Sequence, residues 1–271
     1  MTPGATAPLG GSELRGPARW ALVEGEAKRE ARVRRIGRLA TLSPESLVVH
    51  LGPEVRHATL WAQVFGCRTL VIDAPPALEA LRREAQALGV AELLELREGD
   101  PLAREQPELT PAADLILAQG LAAAIGFDEA LAALRPSLVT DGLLAVFQRA
   151  WITSDVAAEV KRYWEAHSAG PVRTLRDTLG QFTRAGYEPM TCELVPAPAW
   201  DEYYERADAR LAALASGAGA ETPEGRALAD LREEMRIHEQ GGRVATSIGC
   251  FVGRRVEPNS PPRWPRRGFG E

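Results

Sequence analysis

The sequence predicts an α/β protein built around a parallel β-sheet, and two observations lead to this fold class. Short apolar runs of strand length alternate with longer segments in which apolar residues recur at helical spacing. Turns rich in glycine and proline separate these segments. Such an alternation is typical of parallel strands joined by right-handed helical crossovers. A chain of 271 residues is long enough for one large domain of this class.

The strands of the first half are predicted from apolar runs rich in β-branched residues. These runs are LVVHL (47–51), RTLVID (68–73), ELLELRE (92–98), DLILA (114–118) and GLLAVFQ (142–148). Helices are predicted between them, over residues 19–42, 56–65, 75–89 and 128–135. Pro75 suits a helix start and Gly89 a helix stop. Residues 136–142 are predicted to form a turn.

The second half is predicted to be mainly helical. Helices are expected over residues 155–167 and 174–185, followed by a weak strand at 192–197. A helical pair at 199–214 and 222–239 is broken by SGAGAETPEG, and the last strand is expected at 245–255. We therefore expect a single domain over residues 19–256, with a disordered tail at 1–18 and a tail rich in proline and arginine at 257–271.

The composition is that expected of a soluble globular protein, with the cytoplasm as the expected location. The formal net charge of −5 and the pI of about 5.6 argue against a non-specific nucleic-acid binder. The three cysteines are far apart and form no CxxC motif, which suits a reducing compartment without a zinc site. No apolar run is long enough to cross a membrane, and the N-terminus lacks the pattern of a secretory signal.

The stretch VVHLGPEVRHATLWAQVFG (48–66) has the layout of a nucleotide-binding turn. An apolar strand ends in a glycine, a helix follows, and the second strand ends in Asp73. The N–H groups at a helix N-terminus bind polar ligands, and an acid at the end of the second strand can accept hydrogen bonds from ribose hydroxyls. The structural alternative for Asp73 is a turn residue before two prolines.

Seven stretches of the sequence are informative together with the order of the elements: IDAPPALEALRREAQALGV, LREGDPL, AAAIGFDEALAALRP, DGLLAVFQRAWIT, EVKRYWEA, RAGYEP and WDEYY. In these motifs and in the order of its elements, the chain resembles the class I S-adenosylmethionine (SAM)-dependent methyltransferases. The resemblance covers residues 36–255 and is strongest to the bacterial branch known as methyltransferase type 11 or ubiquinone-biosynthesis-like. It implies a Rossmann-like, seven-stranded sheet that is mostly parallel with an antiparallel last strand, helices on both faces and a helical insertion before that strand. It also implies a core at 44–150, a substrate-covering part at 151–240 and a final strand at 244–255.

The resemblance assigns cofactor roles to particular residues. Asp73 would bind the ribose, Asp100 the adenine amino group, and Gln119 would face the transferred methyl group. In the family, the first loop carries an acid and then Gly-x-Gly-x-Gly. Those positions are His50, Gly52, Glu54 and Arg56 in this chain, so only the first glycine remains. The nucleoside half of the pocket is thus kept and the methionine half altered, which implies weak or absent SAM binding.

Candidate catalytic residues lie in the second half of the chain. His167 and His238 are candidate general bases, with Tyr163, Tyr203 and Tyr204 as orienting groups. The structural alternative is an exposed or capping role for the histidines and core packing for the aromatic residues. Methyl transfer needs mainly alignment and exclusion of water, and a base only when the nucleophile holds its proton.

Two functions from different classes therefore remain open. One is a methyltransferase-like binding or regulatory subunit that does not bind SAM and has a protein partner, such as an active homologue or a second copy of this chain. The other is an active SAM-dependent methyltransferase acting on a small molecule. A nicotinamide site would need more glycines, and His50 with His57 lacks the further ligands of a metal site, so we expect no metal. We also expect no membrane or nucleic-acid partner.

Overall fold

The computed structural model describes residues 26–52, 56–103, 112–214 and 222–257. The predicted N-terminal tail, residues 258–271 of the predicted C-terminal tail, and Glu54 lie outside the described residues.

The described strands form one sheet, in the order β3-β2-β1-β4-β5-β8-β7. Strands β1 to β5 pair in parallel, whereas β8 is antiparallel to both β5 and β7. The predicted seven-stranded, mostly parallel sheet with an antiparallel last strand is thus confirmed, and a two-residue strand, β6, pairs with β5 in addition. The strands are β1 (Leu47–Leu51), β2 (Arg68–Asp73), β3 (Leu94–Glu98), β4 (Ala113–Ala118), β5 (Leu138–Trp151), β6 (Arg173–Thr174), β7 (Tyr187–Leu194) and β8 (Thr246–Arg255).

Helices cover both faces of the sheet, as predicted. One apolar cluster packs α1, α2, α8 and α9 on one face, and a second packs α4, α5 and α7 on the other. Helices α8 and α9 form the predicted insertion before the last strand. The helices are α1 (Glu26–Leu39), α2 (Arg56–Phe65), α3 (Pro75–Ala87), α4 (Leu121–Ile125), α5 (Phe127–Leu134), α6 (Ala158–Ala166), α7 (Leu175–Arg184), α8 (Ala197–Leu214), α9 (Pro223–Ile237) and α10 (Arg243–Ala245).

The structure corrects several predicted boundaries. The turn predicted at 136–142 is wrong, because β5 already begins at Leu138. Its pairing with β4 shifts register between Ala113 and Leu115, and Asp141 has a φ of 67°, so a bulge replaces the expected turn. Strand β7 begins at Tyr187 rather than at residue 192, and the short helix α4 was not predicted.

Strand β5 extends beyond its neighbour β4. The last residue of β4, Ala118, lies opposite Val146, and the next strand on that side, β6, begins opposite Ala150. Residues 147–149 of β5 therefore pair with neither β4 nor β6. This interruption of the sheet is the floor of the cleft described below.

Candidate functional site

The strand order reverses between β1 and β4, and ligands of open α/β sheets bind at such a point, beyond the carboxyl ends of the strands. Gly52 directly follows β1, and Gln119 directly follows β4. The backbone N–H of Gln119 donates a hydrogen bond to the carbonyl oxygen of Leu51 over 2.7 Å, which ties the two strand ends together. The crevice of a nucleotide site would lie here.

Gly52 is held in a conformation that favours glycine. Its φ is 125°, and a Cβ atom at this position would lie 2.7 Å from the Cβ of Gln119 and even closer to the Gln119 carbonyl oxygen. The remaining glycine of the loop is therefore required by the close approach of β4, independently of any ligand.

Three buried polar side chains lie near these strand ends. His50 and Gln119 are 0% exposed and His57, in the first turn of α2, is 2% exposed. The side-chain amide nitrogen of Gln119 lies 3.3 Å from Nδ1 of His57, and the rings of His50 and His57 are 5.8 Å apart. Residues from β1, α2 and β4 thus meet in one buried cluster, which we call the crevice cluster (His50, His57 and Gln119).

The crevice cluster is incompletely hydrogen-bonded. Neither ring nitrogen of His50 meets hydrogen-bond geometry with a partner among the described residues, and neither does Oε1 of Gln119. Burial lowers the pKa of His50 to about 4, and the nearby backbone of Gly52 opposes this shift only in part. The imidazole is therefore neutral at pH 7 and supplies no charge to the crevice.

Asp73 ends β2 as predicted, and its carboxylate is 7% exposed. One oxygen accepts a hydrogen bond from the Ala74 N–H over 2.7 Å, whereas Oδ2 has no hydrogen-bond partner in the described part of the chain. Burial raises the pKa of Asp73, and the nearby negative charge of Asp100 raises it further. Asp100 is exposed and accepts a hydrogen bond from the Leu102 N–H over 2.9 Å.

The predicted cofactor residues thus lie along one edge of the sheet, at the ends of β1, β2 and β4 and just after β3. Their cofactor role stays a prediction. Two of the residues that replace the family's glycines in the first loop are not fully described. Glu54 lies outside the described residues, and Arg56 begins α2 with a side chain that is not described.

A cleft of about 440 Å³ lies at the interruption of the sheet, where β5 pairs with neither β4 nor β6. Its floor is the edge of β5 at residues 147–149, and its walls come from α4, α5, α6 and the segment 168–171. Its volume falls within the range of small-molecule sites. None of the predicted cofactor residues lines it.

One wall of the cleft combines aromatic rings with charges. The guanidinium carbon of Arg149 lies 3.3 Å from the centre of the Trp164 ring and 5.6 Å from that of Trp200. Glu234 lines the same wall and accepts a hydrogen bond from the Tyr204 hydroxyl over 2.8 Å. On the opposite wall Arg173 pairs with Asp128 at 3.3 Å.

Two candidate catalytic residues, Tyr163 and His167, line this cleft. Their rings are stacked at 4.2 Å, and Nδ1 of His167 lies 2.7 Å from the backbone carbonyl oxygen of Tyr163. A carbonyl can only accept, so Nδ1 must carry the proton that it donates. In the neutral imidazole Nε2 is then an acceptor, on a residue that is exposed.

The other candidates lie away from the cleft. Nε2 of His238 lies 3.3 Å from Asp201, which also pairs with Arg243, and burial lowers the pKa of His238. Tyr203 is buried in the core, and its ring is 5.1 Å from that of Tyr204. These positions fit the structural roles weighed as alternatives, and a catalytic role for His238 and Tyr203 stays a prediction.

Sequence reasoning missed several residues of the two sites. Arg149 and Gln148 had a signal, because polar residues follow the apolar run of β5. Arg173 and Glu234 had none, because each depends on contacts between distant segments, and His57 was weighed only as a metal ligand. Among the described residues no group of His, Cys, Asp and Glu is arranged to hold a metal, and no helix is long and apolar enough to span a membrane.

Solved structures share this architecture. A SAM-dependent methyltransferase from Thiobacillus denitrificans, in complex with S-adenosylhomocysteine, is 21% identical, with a TM-score of 0.66 over 82% of this chain and 90% of that chain. YjhP from E. coli is 20% identical, with a TM-score of 0.69 over 87% of this chain and 94% of that chain. The cyclase SpnF is 15% identical, with a TM-score of 0.64 over 84% of this chain and 81% of that chain.

No protein-family model matches the chain, and no curated protein is significantly similar to it. The structural likenesses and the strand order together show that the chain has the class I SAM-dependent methyltransferase fold.

Proposed function

We propose that this chain is a methyltransferase-like protein that does not bind SAM and acts as a binding or regulatory subunit through its cleft. The observation that carries the proposal is the crevice cluster. Gln119 and His57 are buried against each other close to the loop after β1, which in the family holds the methionine half of SAM, and we infer that SAM could bind there only if this contact were broken.

The charges at the crevice support the same conclusion. SAM carries a sulfonium cation, and His50, which stands where the family has an acid, is neutral. The sequence also places Arg56 at the start of α2, and a further cation disfavours a cationic ligand at short range. The residues present therefore do not fit the methionine half of SAM.

The fold is compatible with this proposal, because it is not confined to methyl transfer. SpnF, a structural neighbour, is described as a cyclase. A fold of this kind hosts different functions through different sites.

Calorimetric titration with SAM and with S-adenosylhomocysteine tests the proposal. We expect neither heat of binding nor a thermal shift at millimolar ligand. S-adenosylhomocysteine carries no sulfonium, so the pair separates a steric block from a charge effect. Micromolar binding of either ligand would overturn the proposal.

The second candidate function is an active SAM-dependent methyltransferase, and Asp73 favours it. Its buried Oδ2 has no hydrogen-bond partner among the described residues, as expected for an acceptor whose partner is the hydroxyl of a bound ribose. If the wild-type protein binds S-adenosylhomocysteine, Asp73→Asn should weaken that binding at least tenfold, since a hydrogen bond to a charged acceptor contributes about 1.5–3 kcal/mol. Unchanged affinity would remove the support that Asp73 gives.

A regulatory role requires a protein partner, which we propose to be an active homologue or a second copy of this chain. Light scattering after size-exclusion chromatography distinguishes a monomer of 29.3 kDa from a dimer. A monomer that also fails to associate with an active homologue would contradict the regulatory role and leave the binding role.

A further inference from the structure

The cleft contains enough detail to define the chemical class of its ligand. The inference about this ligand rests on the proposed function in one respect, namely that the cleft is the binding site of the protein. Aromatic residues contribute to it from separate elements, including Phe127 of α5, Tyr163 and Trp164 of α6, and Trp200 of α8. Rings around a narrow space favour a planar partner, because aromatic groups stack or pack edge to face.

The charges in the cleft argue against an anionic ligand, and the guanidinium of Arg149, which already lies over the rings of Trp164 and Trp200, disfavours a cationic one. Its lining includes two arginines, Arg149 and Arg173, and three acids, Asp128, Glu129 and Glu234. Asp128 is paired with Arg173 and also accepts a hydrogen bond from the side chain of Gln181. With the acids in slight excess, a ligand anion gains little from this environment.

His167 adds a directional requirement. Because Nδ1 donates to the Tyr163 carbonyl and the ring is stacked on Tyr163, the imidazole is fixed in orientation. Nε2 remains as an acceptor on a residue that lines the cleft. A ligand that donates a hydrogen bond satisfies this atom.

We propose that the cleft binds an uncharged, planar aromatic compound with a hydroxyl group, and that Nε2 of His167 accepts a hydrogen bond from this hydroxyl. The aromatic residues provide affinity and His167 selects the donor. His167 is a binding residue in this proposal, and no bond is broken.

The test uses 7-hydroxycoumarin with 7-methoxycoumarin as its matched control, at pH 7.0, where most of the coumarin hydroxyl is protonated and a neutral imidazole is favoured over imidazolium. The two probes have the same planar ring, but only the first can donate a hydrogen bond. By calorimetric titration we expect the hydroxyl compound to bind about tenfold more tightly, the upper end of what one hydrogen bond contributes. Cyclohexanol, which has the hydroxyl but no planar ring, should bind more weakly than either.

Two substitutions locate the effect. His167→Phe keeps a ring over Tyr163 but removes the acceptor, so the preference for the hydroxyl compound should disappear while 7-methoxycoumarin binds as before. His167→Gln restores an acceptor oxygen and should recover part of the preference. Glu165→Gln, at an exposed position of α6 outside the cleft, is the control and should leave both affinities unchanged. Thermal unfolding of each variant checks that it is folded.

Several outcomes would overturn the proposal. These are equal binding of the two coumarins by the wild-type protein, a preference that survives His167→Phe, or no binding of either probe. The SAM titration is independent of them. If the protein binds SAM and also prefers the hydroxyl compound, the proposed function is wrong and this inference holds. If it binds no SAM and shows no such preference, the proposed function holds and this inference is wrong.

Discussion

At Gly52 the backbone geometry alone predicts the effect of a substitution. Gly52→Ala should lower the free energy of unfolding by about 3 kcal/mol, because it combines an unfavourable positive φ with a collision against Gln119. Gly89→Ala is the matched control, since Gly89 also has a positive φ of 70° but has open space around it. We expect a loss of about 1 kcal/mol there. Urea unfolding measures both, and equal losses would mean that the contact with Gln119 is unimportant.

His50 should make stability depend on pH. Its pKa is about 4 in the folded protein and near the ordinary 6.5 when unfolded, so the unfolded chain binds the proton first. Above pH 6.5 His50 therefore costs no stability through protonation, and as the pH falls towards 4 it lowers the free energy of unfolding by up to about 3 kcal/mol.

His50→Leu should remove this dependence, so unfolding free energies of variant and wild type should differ increasingly below pH 6.5. The pKa of His238 is also lowered, but that residue is present in both proteins and its effect cancels. Parallel curves would contradict the assignment to His50.

At the scale of elements, the loop from β1 to α2 and the end of β4 should act together on SAM binding. Glu54→Gly with Arg56→Gly should strengthen binding of S-adenosylhomocysteine, and adding Gln119→Ala should strengthen it at least tenfold further. The loop change restores glycines, and the second change removes the side chain that contacts His57. Calorimetry measures the affinities.

Gln181→Ala is the control for this series, because Gln181 is another buried glutamine, bonded to Asp128 and not to the crevice cluster. If affinity is unchanged by Gln119→Ala, the closure of the crevice has another cause.

Elements marked by an apolar run beside turn residues could be predicted from the sequence. Elements whose ends depend on pairing with a neighbouring strand could not. LVVHL and RTLVID gave strands with the predicted ends, because each is an apolar run next to a turn signal. Strand β5 began earlier than predicted, since its bulge at Asp141 resembles a turn in sequence. Helix α4 has five residues, too few for an apolar period to appear.

The same distinction applies to the site. Asp73 and Gly52 were predictable because the ends of parallel strands meet at one edge. The contact between Gln119 and His57 was not, because these residues are 62 positions apart and meet only through the register of β1 with β4.

For the whole molecule, we predict a single cooperative unfolding transition over the described residues. One apolar cluster joins residues from both halves of the chain, including Val48, Trp61, Trp200 and Leu231, and β8 completes the sheet from the far end of the sequence. Tryptophan fluorescence and far-ultraviolet circular dichroism should therefore report the same midpoint in urea. Two separate transitions would show that the halves are independent units.

Tyr204→Phe should lower this midpoint in both signals together. The substitution removes the hydrogen bond from the Tyr204 hydroxyl to the buried Glu234, at a cost of about 1–3 kcal/mol. A shift confined to one signal would contradict the single transition.

The backbone at Gly52 has a consequence for the history of such proteins. Because β4 comes so close, this glycine is needed for folding whether or not a cofactor is present. In a lineage that lost SAM binding, the second and third glycines of the family's loop would be free to change, whereas selection for folding would still conserve the first. A loop that keeps only the first glycine, as in this chain, is therefore the pattern expected after a loss of SAM binding.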